Sequence, residues 1–383
     1  MSITSSSGCL FIALGEKIND TVVGVLFISL TMNTYFFKES ENSATRETKL
    51  STPSSPYHDR SLAPFLHEFA HPTPMIGQIR LCAQRQLADR QRSPLLNSVR
   101  FLVTMAVSRD LPSSFGDALS QHFVATIEND SNGSTLDMNR ARQQHEQYLA
   151  TLRQLVPTLS LPALEDFPDC SFVEDTVIAI GNRALITNPG HESRRGEVDS
   201  VREVLQQLGM EVVDMKTESK SSILPAHCDG GDVMYTGRHL FVGLSDRTNE
   251  EAIEMIEAVF PDVPLIPVSP VAQGKHVLHL KSAVTHLNET TLLAPSDPIG
   301  YKVLRAMRAH ELGYEAIHLS DTLACNAVVV NGTVLAQDTS CPTSRQRLEE
   351  TTQNLGMELR WVDTSELAKK DAALTCCSVL LSI

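Results

Sequence analysis

Positive charge is scarce in this sequence. The 383 residues hold 32 Lys and Arg against 46 Asp and Glu, a formal net charge of -14. Polyanion partners need clustered cations to displace their counterions, so nucleic acid binding is not expected. A small cationic substrate suits this field better. No C-x-x-C pair occurs among the eight cysteines, and neighbouring Cys and His do not repeat at zinc-finger spacing, which argues against a structural metal site. Scattered thiols in a chain of this length fit a reducing, cytoplasmic setting where they remain free. A secretion signal is also lacking. No basic residue precedes Lys17, and the sequons at Asn129, Asn132, Asn288 and Asn331 read as chance matches. The apolar run "TVVGVLFISLTMNTYFF" contains Thr, Ser and Asn and sits at the short limit for crossing a bilayer, so membrane association is not expected.

What remains is ordinary globular composition, 42% hydrophobic and 20% charged, enough for a large core or two domains. Residues 1–95 differ in character from the rest: the apolar run is followed by "ESENSATRETKLSTPSSPYHDR", which reads as a disordered linker. Residues 96–383 carry a repeat. Pairs of apolar or alternating segments flank short turns at Gly181-Asn182, Thr236-Gly237, Asn288-Glu289 and Asn331-Gly332, and such dipeptides supply the positive φ of tight hairpins. Each pair is followed by a helical pattern, as in "SRRGEVDSVREVLQQLG", and then a short strand such as "MEVVDM". The unit is strand-strand-helix-strand. A fifth unit can be assembled from both ends of the domain: "RFLVTMAV", the helix "LDMNRARQQHEQYLATLRQLV" and the terminal "ALTCCSVLL". Pairing the last strand with the first closes a ring of five, an α/β propeller. An open doubly wound sheet would instead want helices between parallel strands.

Several residues stand out for chemistry. Asp169, Glu174 and Asp175 lie within "PDCSFVED", interrupted by apolar Phe172 and Val173. Buried carboxylates need partners, and a guanidinium satisfies several at once; a solvated loop with an ion pair is the plainer reading. Arg194 follows Ser193, which reads as a helix N-cap, and Arg247 precedes Thr248 and Glu251, a capping-box pattern. Cations there oppose the helix dipole but make an anion site suited to a carboxylate, unless both are simply surface residues. His276 and His279, read as strand residues, face opposite sides, so at most one points into a given site. Asp229 and Asp232 flank a Gly-Gly pair in "HCDGGDV", where an acid can orient a histidine or merely make a turn. Cys376 and Cys377, read as adjacent strand residues, also face apart. One then faces a pocket and the other the core, and spacing does not say which.

Taken in order, "RDLPSSFG", "PDCSFVED", "ALITNPGHESRRGEV", "DGGDVMYTGRHLFVGLSDRTN", "LHLKS" and "LTCCSVL" resemble the dimethylarginine dimethylaminohydrolases of the pentein (guanidine-modifying) superfamily. The likeness runs from about Ser98 to the C-terminus and implies a five-bladed α/β propeller of ββαβ units around a central active site. It implies Cys376 as nucleophile, His279 as general acid and base, and Asp229 as the acid that orients His279. Asp169, Glu174 and Asp175 would hold the guanidinium, Arg194 and Arg247 the α-carboxylate, and the backbone carbonyls of Leu119 and Lys370 the α-ammonium group. The implied reaction converts asymmetric dimethylarginine or monomethylarginine to citrulline and the methylated amine through a covalent thiouronium, relieving inhibition of nitric oxide synthase. No cofactor or metal is expected, and the enzyme would be a monomer or homodimer. Lys at 370 departs from the apolar residue of the family pattern, and residues 1–95 have no counterpart in it. The alternatives are another pentein activity, arginine deimination or amidino transfer, and a noncatalytic arginine-binding protein.

Overall fold

The hairpins form around turns whose chemistry matches their geometry. Ile180 pairs with Arg183 across Gly181 (φ 58°) and Asn182, and Val330 pairs with Thr333 across Asn331 and Gly332, both left-handed at 51° and 89°. The other two loops are longer than the two residues expected. Tyr235 pairs with Leu240, and Thr236 Oγ1 closes that loop by accepting from the amides of Arg238 and His239. His286 pairs with Leu292, and Asn288 Oδ1 closes the loop by accepting from the amides of Thr290 and Thr291.

This computed structural model describes residues 102–120, 136–215, 224–269 and 278–383, with four two-residue strands near the N-terminus. The chain divides into two units, Met1–Leu62 and Ala63–Ile383. In the first, Ser5–Ser6 pairs with Cys9–Leu10 and Lys17–Ile18 with Thr21–Val22. The remainder of the expected extension, including the Ser/Thr/Pro-rich stretch, lies outside the described residues, as does His276. No helix among the described residues is long and apolar enough to cross a membrane.

The described residues of the larger unit form five three-stranded sheets. Four have the expected order: an antiparallel hairpin, a helix, and a third strand parallel to the hairpin's second. Their hairpins begin at Val177, Val233, Thr285 and Ala327, and their helices span Val198–Gln207, Glu250–Val259, Pro298–Ala306 and Pro342–Asn354. The remaining sheet joins the two ends of the domain. Met105–Arg109 pairs antiparallel with the terminal Ser378–Leu381 and parallel with Thr158–Leu161, and the helix Met138–Leu155 lies in sequence between Met105–Arg109 and Thr158–Leu161.

Side-chain alternation along each central strand sends one set of residues to each neighbouring unit. Met105 and Val107 pack with Ile186, Val201 and Leu205 of the second unit. Ala106, between them, packs with Tyr148, Leu152, Val328 and Leu335, reaching the fifth. Further cores join second to third, third to fourth and fourth to fifth. Every neighbouring pair therefore shares a hydrophobic core, and the ring is closed: a five-unit α/β propeller.

Candidate active site

Each hairpin is preceded by a tight turn, and these turns carry the chemistry. In chain order they are Val173–Thr176, Gly230–Asp232, Leu280–Ala283, Leu323–Cys325 and Thr375–Cys377. The first holds Glu174 and Asp175. Asp229 caps the second, His279 caps the third, and Cys376 sits in the last. Nine of the ten expected residues line one small cavity: Leu119, Asp169, Asp175, Arg194, Asp229, Arg247, His279, Lys370 and Cys376. Phe172, Leu278 and Asp371 complete its wall.

Glu174 does not share that cavity. Its Oε1 accepts from Lys281 Nζ at 2.6 Å, and both side chains line a larger cavity of about 700 Å³ together with Thr375. The three carboxylates expected to act together are thus split, Asp169 and Asp175 lining the small cavity and Glu174 the larger one. Asp169 accepts from the Leu119 amide at 3.1 Å, whereas Asp175 is held by Arg194 Nη1 at 2.6 Å and the Gly231 amide at 2.8 Å. Consecutive residues of a tight turn point apart, which is why Glu174 and Asp175 part company.

Asp229 accepts from the Gly190 amide at 2.8 Å and bonds His279 Nε2 at 3.1 Å, with Arg247 Nη1 3.8 Å away. Burial opposes a charge on His279, but Asp175, the bond to Asp229 and nearby Asp232 outweigh it and raise its pKa to about 9. Burial likewise opposes the charge on Asp175, yet His279 and Arg194 bring it down to about 2. Cys376 goes the other way: burial first, then the charges of Glu174 and Asp175, push its thiol well above the ordinary cysteine value. The resting pair is a neutral thiol and an imidazolium.

Arg194 is more heavily engaged than an open carboxylate grip. Besides Asp175, it donates to both Glu197 carboxylate oxygens and to the carbonyls of Asp169 and Phe172. Gripping a ligand in two-pronged fashion requires it to release a protein partner. Glu197 escaped the sequence reading because a Glu three residues after an Arg looks like a surface pair, yet it is buried at 1% exposure. Asp232, noted only beside Asp229, accepts from Ser245 Oγ, Thr248 Oγ1 and the Leu280 amide. It thereby anchors the turn that presents His279.

Four local expectations need correction. Ser193 is not the cap: His191 caps a 3-10 turn over Glu192–Glu197, and the α-helix begins only at Val198. The helix after Arg247 is capped by Asn249, which accepts from the Ala252 amide, because Thr248 spends its hydroxyl on buried Asp232. His279 is not on a strand but immediately precedes a short helix. Cys376 and Cys377 precede the last strand rather than lying on it. The turn still divides them. Cys376 packs with Phe115 and Phe172 beside the cavity, and Cys377 with Leu149 and Val330 in the core.

Residues 117–355, more than half of the chain, match the family described as "N,N dimethylarginine dimethylhydrolase, eukaryotic". The chain belongs to the dimethylarginine dimethylaminohydrolase family. Among relatives, the N(G),N(G)-dimethylarginine dimethylaminohydrolase of Pseudomonas aeruginosa is 32% identical over 63% of this chain and 89% of its own length. That of Streptomyces coelicolor is 32% identical over 69% and 93%. A solved structure of the Pseudomonas aeruginosa dimethylarginine dimethylaminohydrolase, a Cys-to-Ser mutant complexed with citrulline, superposes with a TM-score of 0.59 at 28% identity, covering 73% of this chain and all of that one. The family match ends before the terminal strand, so the place of Cys376 in this dimethylarginine dimethylaminohydrolase family member rests on the fold itself.

Proposed function

We propose that the protein hydrolyses asymmetric dimethylarginine and monomethylarginine to citrulline and the corresponding amine, with Cys376 as nucleophile and His279 as acid and base. The carrying observation is the convergence of Cys376, His279, Asp229 and Asp175 on one cavity in a chain of this family. A guanidinium carbon is shielded by resonance and needs a strong nucleophile plus a proton for the departing amine.

The resting charges suit a substrate that brings its own cation. Burial and the charges of Glu174 and Asp175 hold the Cys376 proton in place; a guanidinium beside Asp175, and near Glu174, offsets those charges, so the thiol releases its proton to solvent as substrate arrives. The thiolate bonds to the guanidinium carbon. His279 then donates its proton to the methylated nitrogen, the C–N bond breaks and the amine leaves. The neutral imidazole that remains takes a proton from water as that water attacks the thiouronium carbon. The S–C bond breaks, and the water oxygen stays in citrulline. Asp229 keeps the ring oriented throughout. Arg247, with no carboxylate among the described residues nearer than 3.8 Å, receives the α-carboxylate alongside Arg194, and the Leu119 and Lys370 carbonyls receive the α-ammonium. Asp169, bonded to the Leu119 amide, suits that end of the substrate better than the guanidinium.

The described lining of the site comes from a single chain, which suits a monomer or a homodimer of independent sites. The six described cysteines are all free, in keeping with a reducing cytoplasm, where removal of methylated arginines would relieve inhibition of nitric oxide synthase. Comparing dimethylamine release from asymmetric dimethylarginine with ammonia release from arginine tests the reading; arginine as the clearly better substrate overturns it. Mass spectrometry of the quenched reaction should find the thiouronium on Cys376 and none in Cys376→Ser. A Cys376→Ser protein that turns over would sink the mechanism.

A further inference from the structure

Four of the five turns at the head of the hairpins supply a residue to the catalytic cavity: Asp175, Asp229, His279 and Cys376. The turn of the fifth unit, Leu323–Cys325, supplies none. It runs into Asn326, which is buried at 3% exposure. The Asn326 side chain makes three hydrogen bonds. Its Oδ1 accepts from the Thr375 amide at 3.0 Å. Its Nδ2 donates to the Lys281 carbonyl at 3.0 Å and to Thr375 Oγ1 at 3.1 Å. Thr375 immediately precedes Cys376, and Lys281 lies two residues beyond His279. One amide therefore ties the turn that holds the thiol to the turn that holds the imidazole. Only a carboxamide of this length offers an acceptor and two donors from one planar group.

We propose that Asn326 is a positioning residue that fixes the Cys376 turn against the His279 turn. It lines neither the catalytic cavity nor the larger one behind it, so it acts through Thr375 and Lys281. The inference rests on the roles given above to Cys376 and His279. Attack and proton transfer depend on their separation, and a displacement of about 1 Å at such a site costs on the order of 100-fold in rate.

The test uses the full chain with Asn326→Ala and Asn326→Asp. The first readout needs no substrate: alkylation of Cys376 by iodoacetamide, followed by mass spectrometry. Partly exposed Cys341 in the same molecule serves as the rate reference, and buried Cys228 reports folding. Freeing the turn should raise the Cys376-to-Cys341 ratio at least about fivefold in Asn326→Ala. Asn326→Asp, which can still accept from the Thr375 amide, should fall between the two. A ratio within about twofold of the parent, with Cys228 unmodified, overturns the proposal; if Asn326→Ala exposes Cys228, the Asp variant decides by the same criterion. The second readout is turnover of asymmetric dimethylarginine, where kcat should fall about 10- to 100-fold with KM nearly unchanged. An equal loss of citrulline affinity would overturn it, since that marks general damage to the pocket. A parent protein that does not turn over dimethylarginine refutes the proposed function, while the alkylation ratio still decides the role of Asn326.

Discussion

Cys376 and His279 are both held protonated, the thiol by burial and then by the charges of Glu174 and Asp175, the imidazole because Asp175 and the bond to Asp229 outweigh its burial. The raised imidazole pKa has a measurable consequence for stability. The His279 pKa is raised from 6.5 to about 9 in the folded protein, so its contribution is fully present below pH 6.5 and is lost as pH rises through about 9. The stability difference between the parent and His279→Gln should therefore shrink across that window, as followed by urea unfolding at several pH values. A difference that stays flat from pH 6 to 10 would contradict the assignment. Arg247 makes a separate prediction. Among the described residues its nearest carboxylate is Asp229 at 3.8 Å, so Arg247→Ala should leave the fold intact and raise KM at least about tenfold through loss of a carboxylate contact, with a smaller effect on kcat. Steady-state kinetics check this, and an unchanged KM means the substrate carboxylate lies elsewhere.

Tight turns do more here than connect strands. Gly231 shows how little room they leave: a Cβ there would lie 2.6 Å from His279 Nδ1 and 2.9 Å from Asp175 Oδ1. Gly231→Ala should therefore displace the imidazole, lowering kcat on the order of 100-fold while costing about 1–3 kcal/mol of stability from overpacking. Activity within threefold of the parent, measured on a folded sample, would show that His279 tolerates the shift. The turns also explain what the sequence made legible. Hairpin dipeptides and helical periodicity revealed the repeated unit, because both are local signals. The separation of Glu174 from Asp175, the loss of Thr248 from its cap and the burial of Glu197 depend on partners 16 or more residues away or on a buried setting that spacing does not encode. Asn326 is the clearest case. An Asn before an apolar strand carries no signal of its own, and only the closed ring brings Lys281 and Thr375 to it.

Closure of the ring and supply of the nucleophile are served by the same short terminal segment. Ser378–Leu381 pairs with Met105–Ser108 along four residue positions. Val379 and Leu381 belong to the core shared by the first and second units, while Cys377 belongs to the core shared by the first and fifth. Tyr148 Oη bonds Ser378 Oγ at 2.8 Å, fixing the first unit's helix to the same strand. Deleting residues 376–383 removes those side chains from two of the five inter-unit cores and exposes the edge of Met105–Arg109. Each large apolar side chain lost contributes about 1.5–3 kcal/mol, and the strand pairing is lost with it, against a typical total of only about 5–15 kcal/mol. The truncated chain should therefore be both inactive and unfolded or aggregated, whereas Cys376→Ser should be inactive and folded. Circular dichroism and size-exclusion chromatography of the two side by side separate the contributions. A soluble truncation with a cooperative melt would show that four units hold the ring without the terminal strand, and the clasp would then be catalytic only.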